Sequence, residues 1–339
     1  MEKIFVTDTT LRDGSHTVLH QFSTDDLKRV AKGLDEAGVS IIEVGHGDGL
    51  IGSSINYGFS KNSDIEMIKA VASVVKDAKI AVLLIPGIGT VEALEKAKEA
   101  GATAVRVATH VTEADISAQH IRAAKEMGLF TVGFLMMAHM ADVDRVVEEA
   151  KKMESYGADV VYCTDSAGAM LPEDVREKIG ALKKNLNVPI GFHSHNNLGL
   201  AIGNCVAAIE SGASYIDGSL SGFGAGAGNT STETLIGVLN KMDCDHDCDL
   251  YKAMDVSVNE LKPVAQSHGI DLHINHDSMM LGYAGVYSSF MLHAKKASDR
   301  FGVDYRDIIV ELGKKKAVGG QEDWIVEIAS KIADEKINK

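Results

Sequence analysis

The sequence predicts an α/β protein of the (β/α)8 TIM-barrel class with a C-terminal helical appendage. Three observations lead there. Short β-branched runs alternate with amphipathic stretches through about eight units before the alternation stops near residue 245. The strand runs are almost continuously apolar, as expected when both faces of a parallel sheet are covered. The chemically active residues collect where those runs end, the rim on which a barrel of this kind places its site. A closed barrel fits eight consecutive units better than an open doubly wound sheet. The glycine-rich segment Gly222–Gly228 follows the last strand rather than the first, opposite to a dinucleotide-binding fingerprint.

In chain order, the first strand covers about residues 3–8, and a helix follows from Thr24, where Asp25 and Asp26 suit the positive end of the helix dipole. Gly38 caps that helix. Strands are expected at 40–44, 80–85, 104–107, 130–136, 160–163, 188–192 and 214–218. Helices between them end at Gly101, Gly128, Gly157 and Gly212, and Pro172 suits a first helical turn. Beyond residue 245, helices are expected over 249–268, 284–300, 304–316 and 321–336, around a polar segment His273–Asp277. The division is therefore a barrel of residues 1–245 and a helical unit of residues 246–339.

Composition narrows the function. The 339 residues carry a net charge of −14, which argues against a nucleic-acid partner, so an anionic substrate needs local cations. Four cysteines make no disulfide framework. The N-terminus lacks a signal pattern, and no apolar run approaches the ~18 residues of a membrane span. A reduced, cytoplasmic chain with no membrane contact is expected.

The strand ends carry Asp8, Arg12, Asp13, His16, Glu43, His46, Arg106, His110, His139, Asp165, Ser166, His193 and His195. His193 and His195 are two apart, so on a strand both imidazoles face one way and reach one ion. Asp13 adds a carboxylate oxygen. Two histidines and one aspartate leave coordination positions open, as catalytic sites do, and suit Mn²⁺, Mg²⁺, Co²⁺, Fe²⁺ or Zn²⁺. Arg12 beside the ion is a fixed cation for a carboxylate or an enolate oxygen. His16 carries the side chain type that exchanges protons near neutral pH. Asp165 and Ser166 either bind a substrate carboxylate or cap a helix. Gly222–Gly228 either holds an anion on its backbone N–H groups or is a turn. Cys244-Asp245-His246-Asp247-Cys248 is half a zinc site without a second ligand pair, and Tyr283 and Tyr287, four apart on a helix, read as packing residues.

Several segments resemble the 4-hydroxy-2-oxovalerate aldolase family: Thr10-Leu11-Arg12-Asp13-Gly14-Ser15-His16, Glu43-Val44-Gly45-His46-Gly47-Asp48-Gly49-Leu50, Gly133-Phe134-Leu135-Met136-Met137 and Gly224-Ala225-Gly226-Ala227-Gly228-Asn229. So do Gly282-Tyr283-Ala284-Gly285-Val286-Tyr287-Ser288-Ser289-Phe290 and Val318-Gly319-Gly320-Gln321-Glu322-Asp323. The first motif and the His-x-His pair alone place the chain among metal-dependent barrel lyases and synthases; the tyrosine motif points to the aldolases. The resemblance implies a divalent metal, Mn²⁺, held by Asp13, His193 and His195. It implies that Arg12 stabilises a pyruvate enolate, that His16 is the general base, and that Ser166 and Tyr287 reach the substrate. It further implies cleavage to pyruvate and acetaldehyde, and transfer of the aldehyde to an acylating acetaldehyde dehydrogenase docked on the appendage, with the chain a homodimer within a heterotetramer. Ser194 and Asn196 depart from the family's alanine and third histidine there, and residues 265–281 match poorly. Two other functions are compatible with parts of the sequence. A Claisen-type acyl-CoA/2-oxo-acid synthase shares the metal site, and a non-catalytic scaffold of a dehydrogenase complex does not need it.

Overall fold

The computed structural model describes residues 2–270 and 276–337. Eight parallel strands close in sequence order into a barrel: β1 Phe5–Leu11, β2 Ile41–Val44, β3 Lys79–Leu84, β4 Ala104–His110, β5 Phe130–Met136, β6 Val160–Asp165, β7 Ile190–Ser194 and β8 Tyr215–Gly218. Closure is the β1–β8 ladder, with Thr7 opposite Asp217. Around it lie α1 Thr24–Glu36, α2 Asp64–Ala72, α3 Val91–Glu99, α4 Ala118–Glu126, α5 Val143–Tyr156, α6 Pro172–Asn185, α7 Ala201–Glu210 and α8 Thr232–Lys241. The helix starts follow from short polar caps. Ser23 accepts the Asp26 N–H while Asp26 accepts the Ser23 N–H, and Ser63 and Glu66 repeat that box at α2.

Outward-facing strand residues such as Val6, Ile42, Val82 and Val105 are buried with Leu27, Val30, Ile68, Leu94 and Ile121 of the helices. Each such side chain contributes about 1.5–3 kcal/mol by leaving water. A second core, Leu281, Val286, Phe290, Ile308, Ile309, Leu312, Ile325 and Ile328, holds the C-terminal helices together.

Three expectations change. Asp8 lies within β1 and turns outward, where its carboxylate accepts the Thr10 N–H and the Thr232 hydroxyl, so it is no rim residue. The helix expected over 249–268 is three pieces, α9 Leu250–Val256, a π-turn Ser257–Leu261 and α10 Lys262–Ser267. Pro263 has no N–H to give the preceding turn, and the widened turn lies just before it. The helix expected over 284–300 begins only at Phe290 (α12 Phe290–Phe301), and an unexpected helix, α11 His276–Ala284, precedes it and is ended by Gly285 at φ 69°. Tyr283 and Tyr287 are thus on no common helix; Tyr283 is 70% exposed, and Tyr287 is in the connecting turn. Helices α13 Tyr305–Lys314 and α14 Asp323–Ile337 complete the chain. His273, Ile274 and Asn275 of the expected polar segment lie outside the described residues. No helix among the described residues is long and apolar enough to cross a membrane.

Candidate active site

The barrel interior is built in layers. Phe5, Tyr215 and Phe130 stack at its floor. Above them Arg106 of β4 lies between Phe134 and Tyr162, its guanidinium carbon 4.3 and 4.6 Å from their ring centres. Tyr162 has room to point inward because its neighbour across the ladder is Gly191, where any side chain would overlap the phenol. A cation so deep needs partners. Arg106 donates to Glu43 at 2.9 Å and to Asp217 at 2.5 Å.

Those two carboxylates lead upward on opposite sides. Glu43 also accepts from Arg12 Nε at 2.8 Å, and Arg12 donates to Asp13 at 2.9 Å. Asp217 accepts from His193 Nδ1 at 2.8 Å, which leaves Nε2 facing the mouth. A continuous chain of charge, Asp13–Arg12–Glu43–Arg106–Asp217–His193, therefore begins and ends at the same place. There Asp13 Oδ2 is 3.9 Å from His193 Nε2 and 3.5 Å from His195 Nε2. These three residues offer ligand atoms within 4.8 Å of one another, a group able to hold a metal ion. Burial alone would raise the Asp13 carboxyl, but Arg12 and the surrounding histidines outweigh it and hold it far below the usual carboxylate range. Burial lowers His195 to about 4, against the pull of Asp13, so its imidazole stays neutral and able to ligate.

The donor set fits a divalent cation. Asn229, at the end of the glycine-rich loop, donates to Asp13 at 2.7 Å, and its own Oδ1 is buried with no partner. His16 stands on the 3-10 turn Asp13–His16 after β1, its Nε2 4.0 Å from Asp13. Sequence reasoning missed Asn229, for which no pattern distinguishes a rim asparagine from a turn. It also missed Asp217, although an acidic residue within a buried strand run is itself a signal.

The other candidates separate. Ser166 accepts the Met137 N–H at 3.0 Å, and Tyr287 packs with Met137 and Ala167, so both sit by the β5 and β6 loops. Asp165 accepts the N–H groups of Ala169 and Met170 and is a loop cap, raised to about 6 by burial against those bonds. His139 donates to Gly285 O, tying the rim to the α11–α12 turn. His110 meets Thr112. The Gly224, Ala227 and Gly228 N–H groups are spent on Thr17, Asn197 and Ala225, so that loop reads as a turn. Cys248 donates to Gly38 O, and no metal group among the described residues includes it.

A closed parallel barrel whose mouth unites one carboxylate, two imidazoles and a guanidinium defines a metal-dependent barrel lyase or synthase. Residues 3–259 match the HMGL-like family and residues 272–334 the DmpG-like communication domain. More narrowly, the chain belongs to the 4-hydroxy-2-oxovalerate aldolase family. It is 58% identical over 333 residues to the 4-hydroxy-2-oxovalerate aldolase of Geobacillus thermodenitrificans, covering 98% of this chain and 96% of that one. It is 55% identical over 338 residues to that of Carboxydothermus hydrogenoformans, covering 100% and 99%. Among solved structures, the N-terminal domain of a putative aldolase from Bacteroides vulgatus aligns with a TM-score of 0.74 at 23% identity, over 88% of this chain and 98% of that one. The carboxyl transferase domain of Rhizobium etli pyruvate carboxylase aligns at 0.81 and 16%, over 99% and 61%. These two likenesses show the fold alone.

Proposed function

We propose that this chain cleaves 4-hydroxy-2-oxovalerate to pyruvate and acetaldehyde by a retro-aldol reaction. The observation that carries the reading is the convergence of Asp13, His193 and His195 with Arg12 and His16 at one barrel mouth. Asp13, His193 and His195 would hold the divalent cation, with Asn229 fixing the Asp13 carboxylate through its amide N–H. When bound, the cation polarises the 2-oxo group and stabilises negative charge on its oxygen. One carboxylate and two imidazoles, with positions left for water and substrate oxygens, accept Mn²⁺.

His16 takes the proton of the C4 hydroxyl, the C3–C4 bond breaks, and acetaldehyde leaves. The electron pair passes into a pyruvate enolate, whose oxygen Arg12 faces with a guanidinium that Glu43 and Asp13 hold still. Protonation at C3 then yields pyruvate, so the cycle is proton-neutral. Ser166 and Tyr287 complete the substrate pocket. Tyr287 comes from the helical unit, residues 246–339 in our division, of which 250–267 pack on the barrel. We assign that unit to contact with an acylating acetaldehyde dehydrogenase, which receives the aldehyde, in an assembly built on a homodimer. The match to a communication domain supports this, as do Met279, Tyr283, Leu292 and Val326, apolar residues exposed on its helices.

The test is pyruvate formation, read by lactate dehydrogenase, across metals and across C5 and C6 4-hydroxy-2-oxo acids. Release of thiol from acetyl-CoA with a 2-oxo acid, without pyruvate formation, would overturn the reading in favour of a synthase. No product from any substrate would leave a scaffold.

A further inference from the structure

The far side of His16 carries chemistry that retro-aldol cleavage does not use. After the Asp13–His16 turn, Leu19 and His20 are both left-handed, at φ 52° and 61°. That conformation costs a non-glycine residue about 1–2 kcal/mol. It accompanies a return of His20 against His16, with ring centres 5.0 Å apart, and His20 stacks on His46 at 3.8 Å. Gly47 lies against His16, where any Cβ would overlap the imidazole.

The hydrogen bonds fix which atoms are free. His46 Nε2 donates to Gly58 O, and its Nδ1 accepts the Asp48 N–H at 3.0 Å. The lone pair of that Nδ1, and no N–H, therefore meets the Asp48 carboxylate at 3.6 Å. Among the described residues no N–H or O–H donates to that carboxylate. His20 Nδ1 accepts only a long 3.4 Å bond from Gly47. Burial, with His16 and His46 beside it, holds His20 down at about 3, so its ring is neutral at physiological pH. Acceptors thus face acceptors, an arrangement that a cation relieves. Ligand atoms of His16, His20 and Asp48 all lie within 4.8 Å of one another.

We propose that His16, His20 and Asp48 form a second, inhibitory divalent-metal site, whose ion binds His16 and removes it from proton transfer. Two imidazoles and one carboxylate suit Zn²⁺ or Co²⁺, which bind such a set more tightly than Mn²⁺ does at either site. The site rests on the geometry alone; its inhibitory action rests on the role of His16 proposed above.

The test uses the full-length protein, with Co²⁺ absorbance and equilibrium dialysis for stoichiometry and Zn²⁺ titration of Mn²⁺-loaded enzyme for turnover. Wild type should bind two Co²⁺ per chain, and Asp48→Asn and His20→Gln one each. Excess Zn²⁺ should suppress wild-type turnover at least about tenfold, and Asp48→Asn should need at least about tenfold more Zn²⁺ for the same loss, a ligand-loss effect of ordinary size. Turnover of Asp48→Asn with Mn²⁺ alone should be unchanged. One Co²⁺ per chain in wild type, or a second ion retained by both variants, would overturn the site. A second ion lost in both variants, yet without effect on turnover when bound, would overturn the inhibition and the base role of His16 together. Two Co²⁺ sites in a protein that forms no pyruvate would uphold the site and overturn the aldolase reading alone.

Discussion

At the scale of single residues, roles separate by what each side chain touches. His16 meets Asp13 only at 4.0 Å, so the ion group does not need it. His16→Ala should lower turnover by ~10²–10⁴-fold, the usual worth of a general base, with the Mn²⁺ affinity of the Asp13 group retained. Asp13→Ala should lose both, and full activity in either variant would sink the assignment. Asp217 touches no substrate; it holds the His193 ring and Arg106. Asp217→Asn should weaken metal binding by about 10–100-fold, a second-partner effect readable by equilibrium dialysis. Asp8 is raised by burial to about 6, against bonds from Thr10 and Thr232. Between pH ~4 and ~6 the folded chain therefore binds more protons at Asp8 than the unfolded chain does. Its contribution to stability falls as pH rises through that window. Asp8→Asn, which keeps an acceptor for the Thr10 N–H, should gain on wild type by about 2 kcal/mol more at pH 7.5 than at pH 4 in urea unfolding. A gap that does not change with pH would remove the account.

Among elements, the strands are legible because they are short, almost continuously apolar runs that alternate with amphipathic stretches and end at glycine, proline or polar residues. Eight strands, the crossover helices and the placing of Arg12, Asp13, His193 and His195 on one rim all follow from that. The α11–α12 turn was not legible. Small residues at 282–289 continue a helical spacing, and only the left-handed Gly285 shows that the helix stops. A Cβ there would stand 3.0 Å from the His139 ring, whose nitrogen donates to the same residue. Gly285→Ala should therefore destabilise the turn by about 1–2 kcal/mol. It should also displace Tyr287 and raise KM for the 4-hydroxy-2-oxo acid while leaving metal stoichiometry intact. A variant with unaltered KM would separate Tyr287 from the substrate pocket. The charge chain through the lumen is half legible: Glu43 and Arg106 read as rim residues, but Arg106 lies deep in the lumen between Phe134 and Tyr162, and only the closed barrel reveals that the two meet.

Among the described residues the two largest apolar cores of the whole molecule lie between barrel and helices and within α11–α14. Heating should unfold them in two calorimetric steps, since two-state behaviour belongs to single cooperative units. Divalent metal at about 100 times its Kd should stabilise the barrel step by ~2.7 kcal/mol and leave the other unmoved. One merged transition would show the cores to be a single unit. Neither core was visible in composition, because both draw on the same aliphatic residues; only topology sorts them. The lumen chain has one last consequence, in the order of events. Its fixed charges are two guanidiniums, Arg12 and Arg106, against three carboxylates, Asp13, Glu43 and Asp217. These fixed charges leave an excess of one negative charge at the mouth, which by itself repels a carboxylate substrate. A divalent cation reverses that sign. Loading is then compulsory in sequence, cation before acid, and pyruvate should bind measurably by calorimetry only after the metal has been added.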